Sequence, residues 1–254
     1  MKERTARLSR IHVDAPLANG ARIALPEAAA AHLLRVLRLG VGDACVLFNG
    51  DGFDYAATII SVARKNSTVK IAEVEVAAAH FIDHESPLRI TLAQALARGE
   101  KMDWIIQKAT ELGVAAIQPI VSERTEVKLD DERADKRRAH WCAVAIAACE
   151  QCGRARLPLI AEPLELHRYL AKADFGALKL MLDPQAELTP RMLSLADARA
   201  IELVIGPEGG LSGRDRAQLE AAGFQGMKLG PRVLRTETAG LAMIAALQVL
   251  AGDF

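Results

Sequence analysis

Two rhythms of apolar residues divide the chain. Up to about residue 76, short runs of alternating or β-branched character are separated by turn-forming residues. Ala44 to Phe48 leads into Asn49-Gly50-Asp51-Gly52, where Asn and Gly tolerate the positive φ of a tight turn. Phe53 to Ser61 and Thr68 to Val76 follow as strands, separated by Arg64-Lys65-Asn66-Ser67. One helix is predicted among them, Pro26 to Leu37, with proline at its start and Gly40 as a stop. Short strands with tight turns predict a small β-barrel or sandwich over residues 1–76. Residues 77–86 mix Ala, His, Asp and Ser and read as a linker.

Over residues 87–254 strand and helix alternate. Strands are predicted at Leu88 to Ala93, Ala115 to Val121, Leu178 to Leu182, Ile201 to Ile205 and Met227 to Leu229. Helices are predicted at Glu100 to Leu112, Arg133 to Gln151, Leu164 to Ala171, Gly213 to Ala222 and Thr238 to Leu250. Gly113, Gly153, Gly176 and Gly223 stand where helices should stop. This alternation predicts an α/β domain, a parallel sheet with helices on both faces. The last helix is apolar nearly all round, which predicts burial on more than one face, in the core or against a second subunit.

Composition adds limits. With 254 residues, 51% hydrophobic and 25% charged, the chain is that of an ordinary globular protein and not a fibrous or disordered one. The opening MKERTARLSR lacks the apolar stretch of a secretory signal, so a cytoplasmic location with free thiols is expected. Cys149-Glu150-Gln151-Cys152 is formally a CxxC, but no second ligand pair stands at zinc spacing, and no metal site is expected. Lys plus Arg and Asp plus Glu are 32 each, yet the balance is uneven along the chain. Residues 1–38 carry Lys2, Arg4, Arg7, Arg10, Arg22, Arg35 and Arg38 against Glu3, Asp14 and Glu27. Residues 133–156 carry Arg133, Lys136, Arg137, Arg138, Arg154 and Arg156 against Asp135 and Glu150. Two basic patches beside a small β-module point to nucleic-acid phosphates, against the blander reading of solvated surface.

Chemistry concentrates where three predicted strands end. Leu182-Asp183-Pro184, Ile205-Gly206-Pro207-Glu208-Gly209-Gly210 and Leu229-Gly230, with Leu234-Arg235-Thr236-Glu237-Thr238-Ala239, are polar, Pro- or Gly-rich loops. At one edge of a parallel sheet such loops make a ligand pocket. The pattern is neither a Walker A loop nor GxGxxG.

The motifs GPEGGLS and LGPRVLRTETA, with EKMDWIIQKATELGV and AIAACEQCGRARLP, closely resemble those of the bacterial 16S ribosomal RNA uridine-N3 methyltransferases. This RsmE family belongs to the SPOUT superfamily. The resemblance runs essentially end to end and implies a PUA-like RNA-holding β-barrel, then an α/β domain with a trefoil knot. It also implies a homodimer and S-adenosylmethionine held by the three loops just named. Methylation at uracil N3 needs the N3 proton removed or the uracil anion stabilised. Arg235 or Arg10 is expected to stabilise charge on the uracil oxygens. Glu237 is expected either to act as base or to orient Arg235. Arg7, Arg10, Arg22, Arg35, Arg38, Arg137, Arg138, Arg154 and Arg156 are expected at rRNA phosphates. Rival readings are a SPOUT enzyme acting on tRNA or a ribose 2′-oxygen, and a non-catalytic RNA-binding protein.

Overall fold

The computed structural model describes residues 8–64, 70–127, 131–172, 176–195 and 198–254. The alternating runs at the front become a five-stranded sheet: β1 (Arg10–His12), β2 (Arg22–Ala24), β3 (Ala44–Phe48), β4 (Phe53–Arg64) and β5 (Lys70–Phe81). Their order is β1-β3-β4-β5-β2, antiparallel except where β1 runs parallel to β3. Register shifts between Tyr55 and Ala57 and between Ile59 and Ser61 break the long β4–β5 ladder, as β-bulges do where a sheet bends. The predicted turn holds β3 to β4. Gly50 and Gly52 take φ +92° and +100°, and the Tyr55 hydroxyl donates to Asp51 at 2.7 Å. The predicted helix is α1 (Glu27–Ala31) running into a π-helical turn at His32–Val36. Ile11, Leu33, Leu47, Ile59 and Val74 form the core of this unit.

Two expectations change here. The segment from residue 77 to Phe81 is strand and not linker, because its backbone pairs Phe81 with Phe53 and Ala79 with Tyr55. The N-terminal segment up to Glu85 also groups with a distant piece, Cys149–Leu157, while Ser86–Ala148 and Pro158–Phe254 form the second unit.

The second unit has α2 (Lys101–Glu111), α3 (Asp131–Cys152), α4 (Leu166–Leu170), α5 (Gly213–Ala221) and α6 (Thr236–Ala251). Its strands are β6 (Arg89–Ala95), β7 (Ala116–Val121), β8 (Leu159–Ile160), β9 (Leu164–Glu165), β10 (Leu178–Leu182), β11 (Ala200–Ile205) and β12 (Gln225–Met227). The sheet order is β12-β10-β11-β6-β7-β8, all parallel, with β9 also on β7. Successive residues of a strand face opposite sides. Accordingly Leu92, Leu203 and Ile205 pack with α2, α3 and α6, whereas Ala93 and Val204 pack with α4 and α5. The expected α/β arrangement, a parallel sheet covered on both faces, is present. Gly113, Gly153 and Gly223 follow α2, α3 and α5 at φ between +81° and +96°.

Candidate functional site

The carboxyl ends of β12, β10, β11 and β6 lie side by side, and the loops leaving β10, β11 and β12, with Lys101 of α2 and Arg124, meet around a cavity of about 490 Å³. Each loop is shaped by its own sequence. After β11, Gly210 takes φ +68° and donates its N–H to Pro207 O at 2.8 Å, closing the turn. A Cβ on Gly206 would lie 2.9 Å from the backbone nitrogen of Leu211, so only glycine fits. Ser212 then caps α5 reciprocally with Asp215. After β10, Asp183 accepts from Gln185 N at 2.9 Å, and its own N–H donates to Met227 O. Strand β12 ends at Met227, so Lys228 and Leu229 belong to the loop, and Gly230 turns the chain at φ +71°.

Helix α6 begins at Thr236, two residues earlier than the pattern predicts. The Arg235 carbonyl accepts from the N–H groups of Thr238 and Ala239, and this starts the helix. Thr236 Oγ1 donates to Gly206 O at 2.7 Å and accepts from Gln94 Nε2 at 2.9 Å. One hydroxyl thus ties the end of β6, the glycine loop and α6.

Every residue expected at the cofactor lines this cavity except Gly209 and Thr238. Gly209 instead faces Arg124, whose Nη1 donates to its carbonyl at 3.0 Å. The walls are apolar at Leu182, Ile205, Leu229 and Leu234. Sequence reasoning missed Lys101, which carries the main electrostatic feature. Its Nζ donates to Glu208 Oε1 at 2.9 Å and lies 3.6 Å from Glu237 Oε2. Glu208 also accepts from Arg98 N at 3.1 Å. Burial pushes the Glu208 carboxyl up, but the Lys101 ammonium and the Arg98 amide outweigh it and hold it below its ordinary value. The hydrogen bond to Glu208 outweighs the desolvation of Lys101 and makes its ammonium harder to deprotonate. Among the described residues, two buried side-chain oxygens lack a hydrogen bond, Gln94 Oε1 and Glu237 Oε2. The available signal for Lys101 was its place as the first residue of the helix that follows β6, at the same sheet edge as the loops.

The expected RNA contacts differ in burial. Arg22, Arg35, Arg38, Arg137 and Arg156 are exposed. Arg138 is half-buried, donating to Ile160 O at 3.1 Å, and Arg7 lies outside the described residues. Arg10 and Arg154 are corrections, because neither side chain can reach a phosphate. Arg10 donates to Asp54 at 3.0 and 2.6 Å, to Cys149 O at 2.6 Å and to Arg154 O at 3.1 Å, with its side chain 5% exposed. The Arg154 side chain is 4% exposed and pairs with Glu85. Their buried positions remove Arg10 from the catalytic candidates too. Arg235 is exposed at the cavity and Glu237 is half-buried in its wall. Cys149 and Cys152 are free thiols at the end of α3. Among the described residues no cluster of His, Cys, Asp or Glu could hold a metal, and no helix is long and apolar enough to cross a membrane.

Residues 84–248 match the family model described as an RNA methyltransferase domain, and residues 25–72 match an RNA methyltransferase PUA domain. The chain is 33% identical over 247 residues to ribosomal RNA small subunit methyltransferase E of Buchnera aphidicola (subsp. Schizaphis graminum), covering 97% of this chain and 98% of that one. Against the protein of the same name in Bacillus subtilis it is 31% identical, covering 87% and 89%. Among solved structures, ribosomal RNA small subunit methyltransferase E of Neisseria gonorrhoeae bound to S-adenosyl methionine superposes with TM-score 0.89 at 39% identity, covering 97% and 99%. A Legionella pneumophila methyltransferase solved with bound SAM superposes with TM-score 0.92 at 38% identity, covering 98% and 100%.

Proposed function

The chain belongs to the RNA methyltransferase family that includes ribosomal RNA small subunit methyltransferase E, and from that premise we propose that it uses S-adenosylmethionine to methylate N3 of a uridine in 16S rRNA. The observation that carries this reading is the cavity at the strand ends, lined by the loops that the motifs single out. The residues fit such a cofactor. Leu182, Ile205, Leu229 and Leu234 offer an apolar wall, Gly206 lets backbone approach, and Glu237 Oε2 offers a buried acceptor with no donor of its own. Bound there, S-adenosylmethionine supplies an electrophilic methyl group on a sulfonium sulfur.

The protein's task is then placement and proton removal. Glu208 is engaged by Lys101 and Arg98, so it serves as an anchor between loops and not as the base. Glu237 takes the N3 proton, and Arg235 stabilises charge on the uracil oxygens. The N-terminal unit, a PUA-like barrel formed by the chain up to Glu85 with Cys149–Leu157, holds the RNA with Arg22, Arg35, Arg38 and Arg156. The methyltransferase part, Ser86–Ala148 with Pro158–Phe254, threads its loops into a trefoil knot and pairs as a homodimer in the cytoplasm. Exposed Trp104, Val249 and Leu250 on α2 and α6 support a subunit contact, and light scattering should give twice the chain mass.

The deciding experiment incubates the protein and S-adenosylmethionine with undermethylated small-subunit rRNA and maps modified nucleotides by mass spectrometry. A single N3-methyluridine is the expected result. A ribose methyl, or a product on tRNA alone, rejects the assignment of atom or substrate. An unchanged single-turnover rate in Glu237→Gln rejects the base role.

A further inference from the structure

We propose that the Glu208–Lys101–Glu237 cluster reads the charge of the cofactor, so that the cavity prefers the sulfonium form to the neutral thioether product. This rests on the S-adenosylmethionine-dependent reading above and assigns to its site a means of discharging product.

The cluster sets two carboxylates against one ammonium. Lys101 gives its direct hydrogen bond to Glu208, at 2.9 Å, and Glu208 takes a second donor from Arg98. Glu237 Oε2 stands 3.6 Å from the same ammonium, beyond hydrogen-bond reach, and is buried with no donor. A carboxylate oxygen withdrawn from water without a donor is costly in the unliganded protein. It is useful where a ligand brings the missing positive charge. All three side chains line the cavity.

The other charged residues of the wall do not cancel this. Asp183 is answered by Arg216 at 3.7 Å, and Arg124 donates to the Gly209 carbonyl. Lys228 is half-buried, and Arg232 and Arg235 are exposed, where water and salt screen them. Glu237 is shielded from water, with a side chain only 16% exposed, so its field acts at short range inside the cavity.

In the net reaction the methyl leaves the sulfonium sulfur for uracil N3, the N3 proton passes to Glu237 and from it to water, and the sulfur keeps the electron pair as a neutral thioether. One positive charge therefore disappears from the cavity at turnover. The attraction to Glu237 goes with it, and product binding weakens relative to substrate. The discrimination needs no change of shape.

The test is calorimetric titration, without RNA, of S-adenosylmethionine, S-adenosylhomocysteine and sinefungin, whose protonated amine stands where the sulfonium does. Glu237→Gln should weaken S-adenosylmethionine and sinefungin about tenfold, somewhat more than an exposed ion pair is worth because Glu237 is shielded from water. S-adenosylhomocysteine should change less than about twofold. Lys101→Met, which strips the compensating cation, should raise the preference for the charged ligands. A general loss of folding cannot move the ratio in opposite directions in the two variants. Equal weakening of all three ligands by Glu237→Gln, or no weakening, overturns the proposal. If the unaltered protein binds none of them, the cofactor reading itself fails.

Discussion

At the scale of single residues, backbone geometry decides what the loops tolerate. A Cβ on Gly206 would meet backbone atoms of Leu211 and Gly210 at 2.9 and 3.2 Å, whereas a Cβ on Gly209 would meet the side chain of Arg124 at 3.4 Å. Backbone cannot yield as a flexible side chain does. Gly206→Ala should therefore weaken S-adenosylmethionine at least tenfold by calorimetry, while Gly209→Ala should bind within about threefold of the parent. Arg38 shows the opposite case, a bulky residue at φ +57° where glycine is favoured. It follows the π-helical turn, and the Leu39 N–H returns to Leu33 O at 3.0 Å to close the end. Left-handed geometry costs a non-glycine residue about 1 kcal/mol. Arg38→Gly should thus raise stability by about that amount in urea titration. If it also weakens rRNA binding, the strain is retained for the charge.

At the scale of elements, the last turn of α3 places two thiols in contrasting settings. A hydrogen bond from the Cys149 thiol lowers the Cys152 pKa most. Burial opposes it, and the Arg154 N–H with the Arg154 and Arg10 charges adds to the lowering. Cys149 moves up through that same bond and its burial. A lowered thiol is mostly thiolate above its pKa. Iodoacetamide should therefore label Cys152 before Cys45 and Cys149, with a rate that levels off at a lower pH than for an ordinary thiol, read by peptide mass mapping. A rate still climbing tenfold per unit above pH 8 would contradict this. The elements themselves were mostly legible, since the predicted strands at Ala44–Phe48 and Leu178–Leu182 have the observed bounds. The misses share a cause in long-range pairing. Three-residue β1 and β2 carry no internal pattern and exist because β3 and β5 receive them. The alanines after Val76 are poor strand formers, yet the length of β4 carries them into the sheet. The cavity loops were readable because glycine and proline at a strand end have few other uses. Lys101 was not, because a lysine opening a helix looks like any surface charge.

For the whole molecule, zero net charge conceals a sorting of arginines by burial that sequence cannot perform. Arg10 and Arg154 sit in the basic segments but are spent inside the N-terminal unit, on Asp54, Glu85 and backbone carbonyls. Breaking a buried ion pair strands its carboxylate, so Arg10→Ala or Arg154→Ala should cost about 3 kcal/mol in urea titration. Neither should alter how rRNA affinity depends on salt, because neither guanidinium releases a counterion. Arg22, Arg35, Arg137 and Arg156 are exposed, and each should lower the slope of log affinity against log salt by a little under one when replaced by alanine. Filter binding of 16S rRNA fragments from about 50 to 200 mM salt resolves differences of that size. Two arginines that affect folding alone, set against four that affect the salt slope alone, would place the RNA surface by charge release and not by charge count. If Arg10→Ala flattened the slope as much as Arg156→Ala, the burial argument would fail, and the N-terminal unit would have to open when it meets RNA.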